Sequence, residues 1–141
     1  MMNGGCLCGA VRYEVQGDPA FSGICHCIDC QKATGSSHVA IMAVPEAAVK
    51  ITGETKGFEV VGESQGTISR NFCPTCGSLL FSKPSRMAGI ILLTAGTLDD
   101  PSTYKPQVVI YTRSRPEWAK LSGGLPEFEG APPPPPSGAG G

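Results

Sequence analysis

The chain has 141 residues, which suits one domain with its own core and is short for two. Its 11 Lys and Arg residues are balanced by 12 Asp and Glu residues. This composition has no surplus positive charge for nucleic acid or an anionic membrane, so neither is expected as a partner. No apolar run approaches the ~18 residues of a membrane span, and the N-terminus lacks a leader pattern, so the sequence predicts a cytoplasmic protein.

Short alternating or apolar segments predict a mainly β fold with seven or more strands. Residues 11–15 alternate apolar and polar side chains, as a strand with one buried face does. Further strands are predicted at residues 38–44, 66–72, 78–82, 88–93 and 107–112. Helix is predicted only for a turn or two after Cys30, ended by Gly35, and for another turn at residues 45–49.

The end of the chain differs in composition from the rest. After Glu129 every residue is Pro, Gly, Ala or Ser, and such a segment cannot build a core. We therefore predict a domain over residues 1–129 and a disordered Pro/Gly-rich tail over residues 130–141.

The seven cysteines fall into three clusters, and none is isolated. An odd number cannot be fully paired in intramolecular disulfides, and a cytoplasmic chain keeps its thiols reduced, so metal binding is favoured over disulfides. The clusters are Cys6 and Cys8; Cys25, Cys27 and Cys30; and Cys73 and Cys76.

The first and last clusters together predict one closed zinc site. Cys73 and Cys76 form a C-x-x-C turn followed by Gly77, which can adopt the left-handed conformation that such a knuckle needs. Cys6 and Cys8 lie two residues apart, so an extended strand places both on one face. Each pair supplies half of a tetrahedral four-cysteine centre, which is typical of structural zinc.

The middle cluster offers three sulfurs within six residues and no fourth cysteine. Catalytic zinc commonly has three protein ligands and one position for water or substrate, so Cys25, Cys27 and Cys30 predict a second, open zinc site. Two histidines leave an alternative open. His26 or His38 could complete this centre as a fourth ligand and make it structural.

Four segments together resemble a known family. Residues 5–15, 25–35 and 72–78 carry the three cysteine clusters, and residues 94–101 form a fourth segment without cysteine. They closely resemble the glutathione-dependent formaldehyde-activating enzyme and centromere protein V family, and the resemblance extends from about Gly4 to Phe128. It includes Trp118 and the Leu-Pro-Glu-Phe ending at residues 125–128.

The resemblance implies a β-tent of several small antiparallel sheets around the four-cysteine zinc site, with two Zn²⁺ per chain. It also implies a carbon–sulfur lyase or synthase activity, in which a small thiol such as glutathione adds to formaldehyde to give S-hydroxymethylglutathione. A non-enzymatic, zinc-stabilised binding module is the alternative interpretation. Five basic residues are candidates for binding the carboxylates of glutathione: Lys32, Lys83, Arg86, Arg113 and Arg115.

Overall fold

A computed structural model of the chain describes residues 1–63, 65–120 and 125–131. Most of the predicted tail, residues 132–141, lies outside the described residues, so the disorder of the tail stays a prediction. The described part contains one short α-helix, α1 (Ile28–Thr34), and ten strands. The strands are β1 (Met2–Gly5), β2 (Arg12–Val15), β3 (Phe21–Cys25), β4 (Val39–Pro45), β5 (Val49–Thr52), β6 (Lys56–Val61), β7 (Thr67–Phe72), β8 (Leu79–Pro84), β9 (Ile90–Thr94) and β10 (Val108–Ile110).

The strands form two sheets, so the predicted mainly β fold with little helix is confirmed. A three-stranded antiparallel sheet has the order β1-β2-β5, and a seven-stranded sheet has the order β10-β3-β4-β9-β8-β7-β6. Neighbouring strands in the larger sheet are antiparallel, with one exception. The last strand, β10, runs parallel to β3, with Val109 opposite Ile24.

The elements agree with the sequence pattern where side chains alternate or form an apolar run. Helix α1 begins at Ile28, earlier than predicted, and the turn predicted at residues 45–49 is a 3-10 turn at Glu46–Ala48. Four strands were not predicted: β1, β3, β5 and β6. Strand β6 illustrates the reason, because five of its six residues are exposed and it has no buried face to produce a pattern.

Two apolar clusters form the core. The larger includes Tyr13 and Val15 of β2, Met42 of β4 and Leu80 of β8, each at most 2% exposed. Burial of such side chains stabilises the fold by about 1.5–3 kcal/mol each. The smaller includes Val39, Ile41 and the middle cysteines. Since Cys6 and Cys73 belong to the larger cluster, each predicted metal group lies beside a different part of the core.

No helix among the described residues is long and apolar enough to cross a membrane.

Candidate metal centres

The first and last cysteine clusters meet in the structure, although they are far apart in the chain. Their four sulfurs all lie within 4.8 Å of one another. The Sγ of Cys8 is 3.6 Å from that of Cys6 and 3.8 Å from that of Cys73. In a tetrahedral centre with Zn–S bonds of about 2.3 Å, neighbouring sulfurs are about 3.8 Å apart. The donors therefore match the size of a zinc-thiolate centre in both type and spacing.

Two tight turns hold this four-sulfur group, which comprises Cys6, Cys8, Cys73 and Cys76. The N–H of Gly77 donates to the carbonyl of Cys73 at 2.8 Å, with Gly77 at φ +77°, so the turn after β7 has the conformation expected of a knuckle. The N–H of Val11 donates to the Sγ of Cys6 at 3.2 Å. Such N–H groups favour the thiolate form, which is the form that binds metal.

Ser78 connects the two turns. Its Oγ lies 3.2 Å from the Sγ of Cys76 and accepts a hydrogen bond from the N–H of Leu7 at 3.0 Å. The Ser78 hydroxyl and then the Ser78 N–H lower the pKa of Cys76 to about 5. Cys76 is therefore held as thiolate at neutral pH, ready to coordinate a cation.

The middle cluster forms a second, separate group, named here the three-sulfur group. Cys25 ends β3, Cys27 caps the N-terminus of α1, and Cys30 lies in its first turn, where its N–H donates to the Sγ of Cys27 at 3.3 Å. The three sulfurs lie within 4.8 Å of one another, and all three residues are buried. The sequence folds this way because Cys27 accepts the free N–H at the start of α1, as a capping side chain does.

The three sulfurs lie close enough to shift one another's pKa values. Hydrogen bonds from Cys25 and Cys30 lower the pKa of Cys27 to about 2, with smaller contributions from the Cys30 N–H and the positive charge of Arg70. The pKa of Cys30 is raised, chiefly by its hydrogen bonds to Cys25 and Cys27. Three thiolates this close repel one another, so a divalent cation is what makes their joint ionisation favourable. The donor set thus fits a metal.

A cavity of about 270 Å³ opens next to the three-sulfur group, and all three cysteines line it. Its walls are mostly apolar and include Phe21, Ile41, Ile68 and Leu92. A small molecule that reaches the three sulfurs from this cavity leaves much of its surface away from bulk water. A second cavity lies beside the small sheet, and no cysteine is among the residues that line it.

Neither histidine joins the three sulfurs. No His, Asp or Glu belongs to the three-sulfur group in the part of the chain that the structure describes. His26 is buried, and its Nδ1 lies 2.7 Å from the carbonyl oxygen of Ser37. The Nδ1 of His38 lies 2.8 Å from the Ser37 hydroxyl, and the two imidazole rings meet edge to face. Both histidines therefore brace the segment between α1 and β4.

Of the five basic residues proposed for carboxylate binding, only Arg86 lines the cavity. Lys32 is exposed on α1. Lys83 and Arg113 pair with Glu46 and Glu63 at 2.5 and 3.0 Å. Arg115 is half-buried but does not line the cavity.

Arg70 is the cavity residue that the sequence analysis missed. It lies on β7, is 8% exposed, and places Nη1 and Nη2 at 3.9 and 3.8 Å from the Sγ of Cys30. Residues two apart in a strand share a face, so Arg70 lies on the same face as Ile68 and Phe72. A cation between two apolar residues on one face of a strand was the signal that could have identified it.

Comparisons with known proteins agree with this geometry. A family model described as "Glutathione-dependent formaldehyde-activating enzyme" matches residues 1–114. A Halomonas elongata protein provisionally given the same enzyme name is 25% identical over 127 residues, which cover 86% of this chain and 81% of that protein. A crystal structure of a Rhodobacter sphaeroides protein has a TM-score of 0.60 at 19% identity, covering 77% of this chain and 99% of that one. That last likeness concerns the fold alone.

Proposed function

Because the chain belongs to the family of glutathione-dependent formaldehyde-activating enzymes, we propose that it is a zinc-dependent carbon–sulfur lyase or synthase. It joins glutathione and formaldehyde to give S-hydroxymethylglutathione. The observation that carries this proposal is the three-sulfur group, which has three buried donors and faces a cavity. A closed four-ligand site would not need such access, whereas a site that receives a ligand does.

The two groups have different roles in this proposal. Cys6, Cys8, Cys73 and Cys76 hold a structural zinc between two turns of the backbone. Cys25, Cys27 and Cys30 hold the second zinc, which when bound supplies a positive charge that lowers the pKa of a coordinated substrate thiol.

The reaction needs little beyond a thiolate and a confined aldehyde. The substrate sulfur forms a bond to the carbonyl carbon, the C=O π bond breaks, and the thiol proton ends on the former carbonyl oxygen. Thiolate is the nucleophilic form, and holding both reactants in one cavity replaces a bimolecular encounter. The apolar walls, including Phe21, Ile41 and Leu92, keep bulk water away from the reacting atoms.

The test is the rate at which glutathione and formaldehyde exchange with their adduct. We expect the zinc-loaded protein at micromolar concentration to accelerate this exchange, measured by NMR exchange spectroscopy with ¹³C-labelled formaldehyde. Cys27→Ser should abolish the acceleration, and Lys32→Ala, which alters an exposed residue outside the cavity, should retain it. An unchanged exchange rate with the fully loaded wild-type protein would contradict the proposal and favour a zinc-stabilised binding module.

A further inference from the structure

The guanidinium of Arg70 is a buried charge that needs a counter-charge. Arg70 is 8% exposed and lies inside the larger sheet, opposite Phe58 on β6 and Ser82 on β8. Arginine stays protonated in proteins, so burial cannot be relieved by losing the proton. A buried charge of this kind is normally paired with an acidic group.

No acidic side chain provides that pairing in the described part of the chain. The ion pairs there involve other basic residues, and none joins Arg70 to a carboxylate within 4.0 Å. Both terminal nitrogens of Arg70 instead approach the Sγ of Cys30, at 3.8 and 3.9 Å. Its Nε is buried without a hydrogen-bond partner. The three-sulfur group is therefore the anionic partner of Arg70.

The charges then decide what the centre can accept. A divalent ion with three thiolates carries one net negative charge, which disfavours a further anion. The positive charge of Arg70 cancels it, so the metal centre itself is neutral toward a fourth thiolate. Two carboxylates also line the cavity, of which Glu63 is paired with Arg113 at 3.0 Å. The other, Asp29, adds a negative charge that makes the charge of Arg70 more important. We propose that Arg70 is a positioning residue that, acting through Cys30, allows the three-sulfur group and its metal to accept an anionic sulfur as fourth ligand. This inference rests on the proposed metal site but not on catalysis.

Direct binding of a substrate carboxylate by the guanidinium of Arg70 explains its geometry less well. The two terminal nitrogens of Arg70 are directed at Cys30, and its Nε is not accessible from the cavity. Arg86, which lines the cavity and is exposed, is better placed to contact a carboxylate. The role of Arg70 therefore concerns the charge of the metal centre.

Cobalt provides a readout that does not depend on turnover. The full chain would be loaded with two Co²⁺ and titrated at one fixed pH with three ligands in separate experiments. These are 2-mercaptoethanol, which has no carboxylate, mercaptoacetate, which has one, and imidazole, a neutral ligand. The visible absorption bands of Co²⁺ report the binding of each ligand at the three-sulfur group. The variants are Arg70→Gln, which removes the charge, Arg70→Lys, which keeps it, and Lys32→Met, which removes an exposed charge from α1.

We expect Arg70→Gln to weaken mercaptoethanol binding at least about tenfold, as loss of a unit charge a few ångströms away predicts. Imidazole binding should change less than about threefold, and Arg70→Lys and Lys32→Met should bind both ligands nearly as the wild type does. If Arg70→Gln does not fold, Arg70→Met carries the same expectation.

Equal weakening of both ligands would show a merely structural role and overturn the inference. A loss seen only with mercaptoacetate, which has a carboxylate, would overturn it by showing that the guanidinium binds the carboxylate. Uptake of only one Co²⁺ by the wild-type protein would show that the three-sulfur group is not a metal site, which would overturn both this inference and the proposed function. The two outcomes above would overturn the role of Arg70 alone.

Discussion

The Sγ of Cys8 lies 3.8 Å from the Sγ of Cys73, although 65 residues separate them in the chain. This pair joins the turn after β1 to the turn between β7 and β8. It therefore connects the small sheet to the large one. A metal at this point would act on the fold as a whole, whereas the three-sulfur group lies within one short segment.

The first prediction is two zinc ions per chain, with different lability. The three-sulfur group faces a cavity and offers three donors, so a mild chelator should remove its ion first, without loss of the far-UV circular dichroism signal. Elemental analysis before and after chelation gives the counts. One zinc per chain, with Cys25, Cys27 and Cys30 all alkylated readily as free thiols, would contradict the two-site description.

The second prediction concerns the cost of losing one ligand from each group. Cys73→Ser should unfold the domain, because Cys73 is 1% exposed in the main core and metal binding there is coupled to folding. Cys27→Ser should remain folded, since serine is a favoured N-cap and can replace the sulfur that caps α1. Thermal unfolding of both variants tests this. Equal loss of folded structure would indicate two structural centres.

The third prediction uses the hydroxyl of Ser78 to shift the pH at which zinc is released. That hydroxyl lowers the pKa of Cys76, so the thiolate persists as the pH falls. Ser78→Ala raises this pKa, protons then compete with zinc at higher pH, and the release midpoint should rise by roughly a few tenths of a unit. A chromogenic zinc indicator measures it, with exposed Ser36→Ala as the control. A midpoint equal to that of the control would refute this role for Ser78.

The fourth prediction compares two glycines that both have positive φ. At Gly53, with φ +99°, an added Cβ would meet the carbonyl oxygen of Ala10 and lie 3.0 Å from the Cα of Val11. At Gly35, with φ +67°, it would meet nothing within 4 Å. Gly53→Ala should therefore lower the free energy of unfolding by about 3 kcal/mol or more, and Gly35→Ala by about 1 kcal/mol.

Urea unfolding of the zinc-loaded variants measures both values. Similar losses at the two positions would mean that backbone conformation alone sets the cost at Gly53.

The grouping of the cysteines could be predicted from the sequence, because it depends on their local spacing. Spacing within a turn or strand decides which sulfurs can face one ion, and that spacing does not depend on the rest of the fold. The same holds for β2 and β4, whose buried residues create a readable pattern. Strand β3 was missed because it contains Ser22 and Gly23, which are buried yet small, so burial left no apolar signal.

The role of Arg70, in contrast, could not be predicted from the sequence. Its importance arises from Cys30, 40 residues away in the chain, and from the absence of a carboxylate partner among the described residues. Neither fact can be inferred from the sequence, which shows only that Arg70 is a cation between two apolar residues on one face of a strand. The parallel pairing of β10 with β3, which places Ile110 opposite Cys25, could not be predicted either, because it joins segments that are far apart in the chain. Sequence alone therefore predicted which sulfurs lie together but not what surrounds them.

The different chain distances within the two cysteine groups also bear on the order of folding. Cys25, Cys27 and Cys30 are near neighbours, so little loop-closure entropy is lost when they gather, and this group can form as soon as its own turn has been synthesised. Cys6 and Cys8 must wait for Cys73 and Cys76, and contacts of such long range form slowly. During synthesis we therefore expect the three-sulfur group to be able to bind a metal ion before the four-sulfur group is complete.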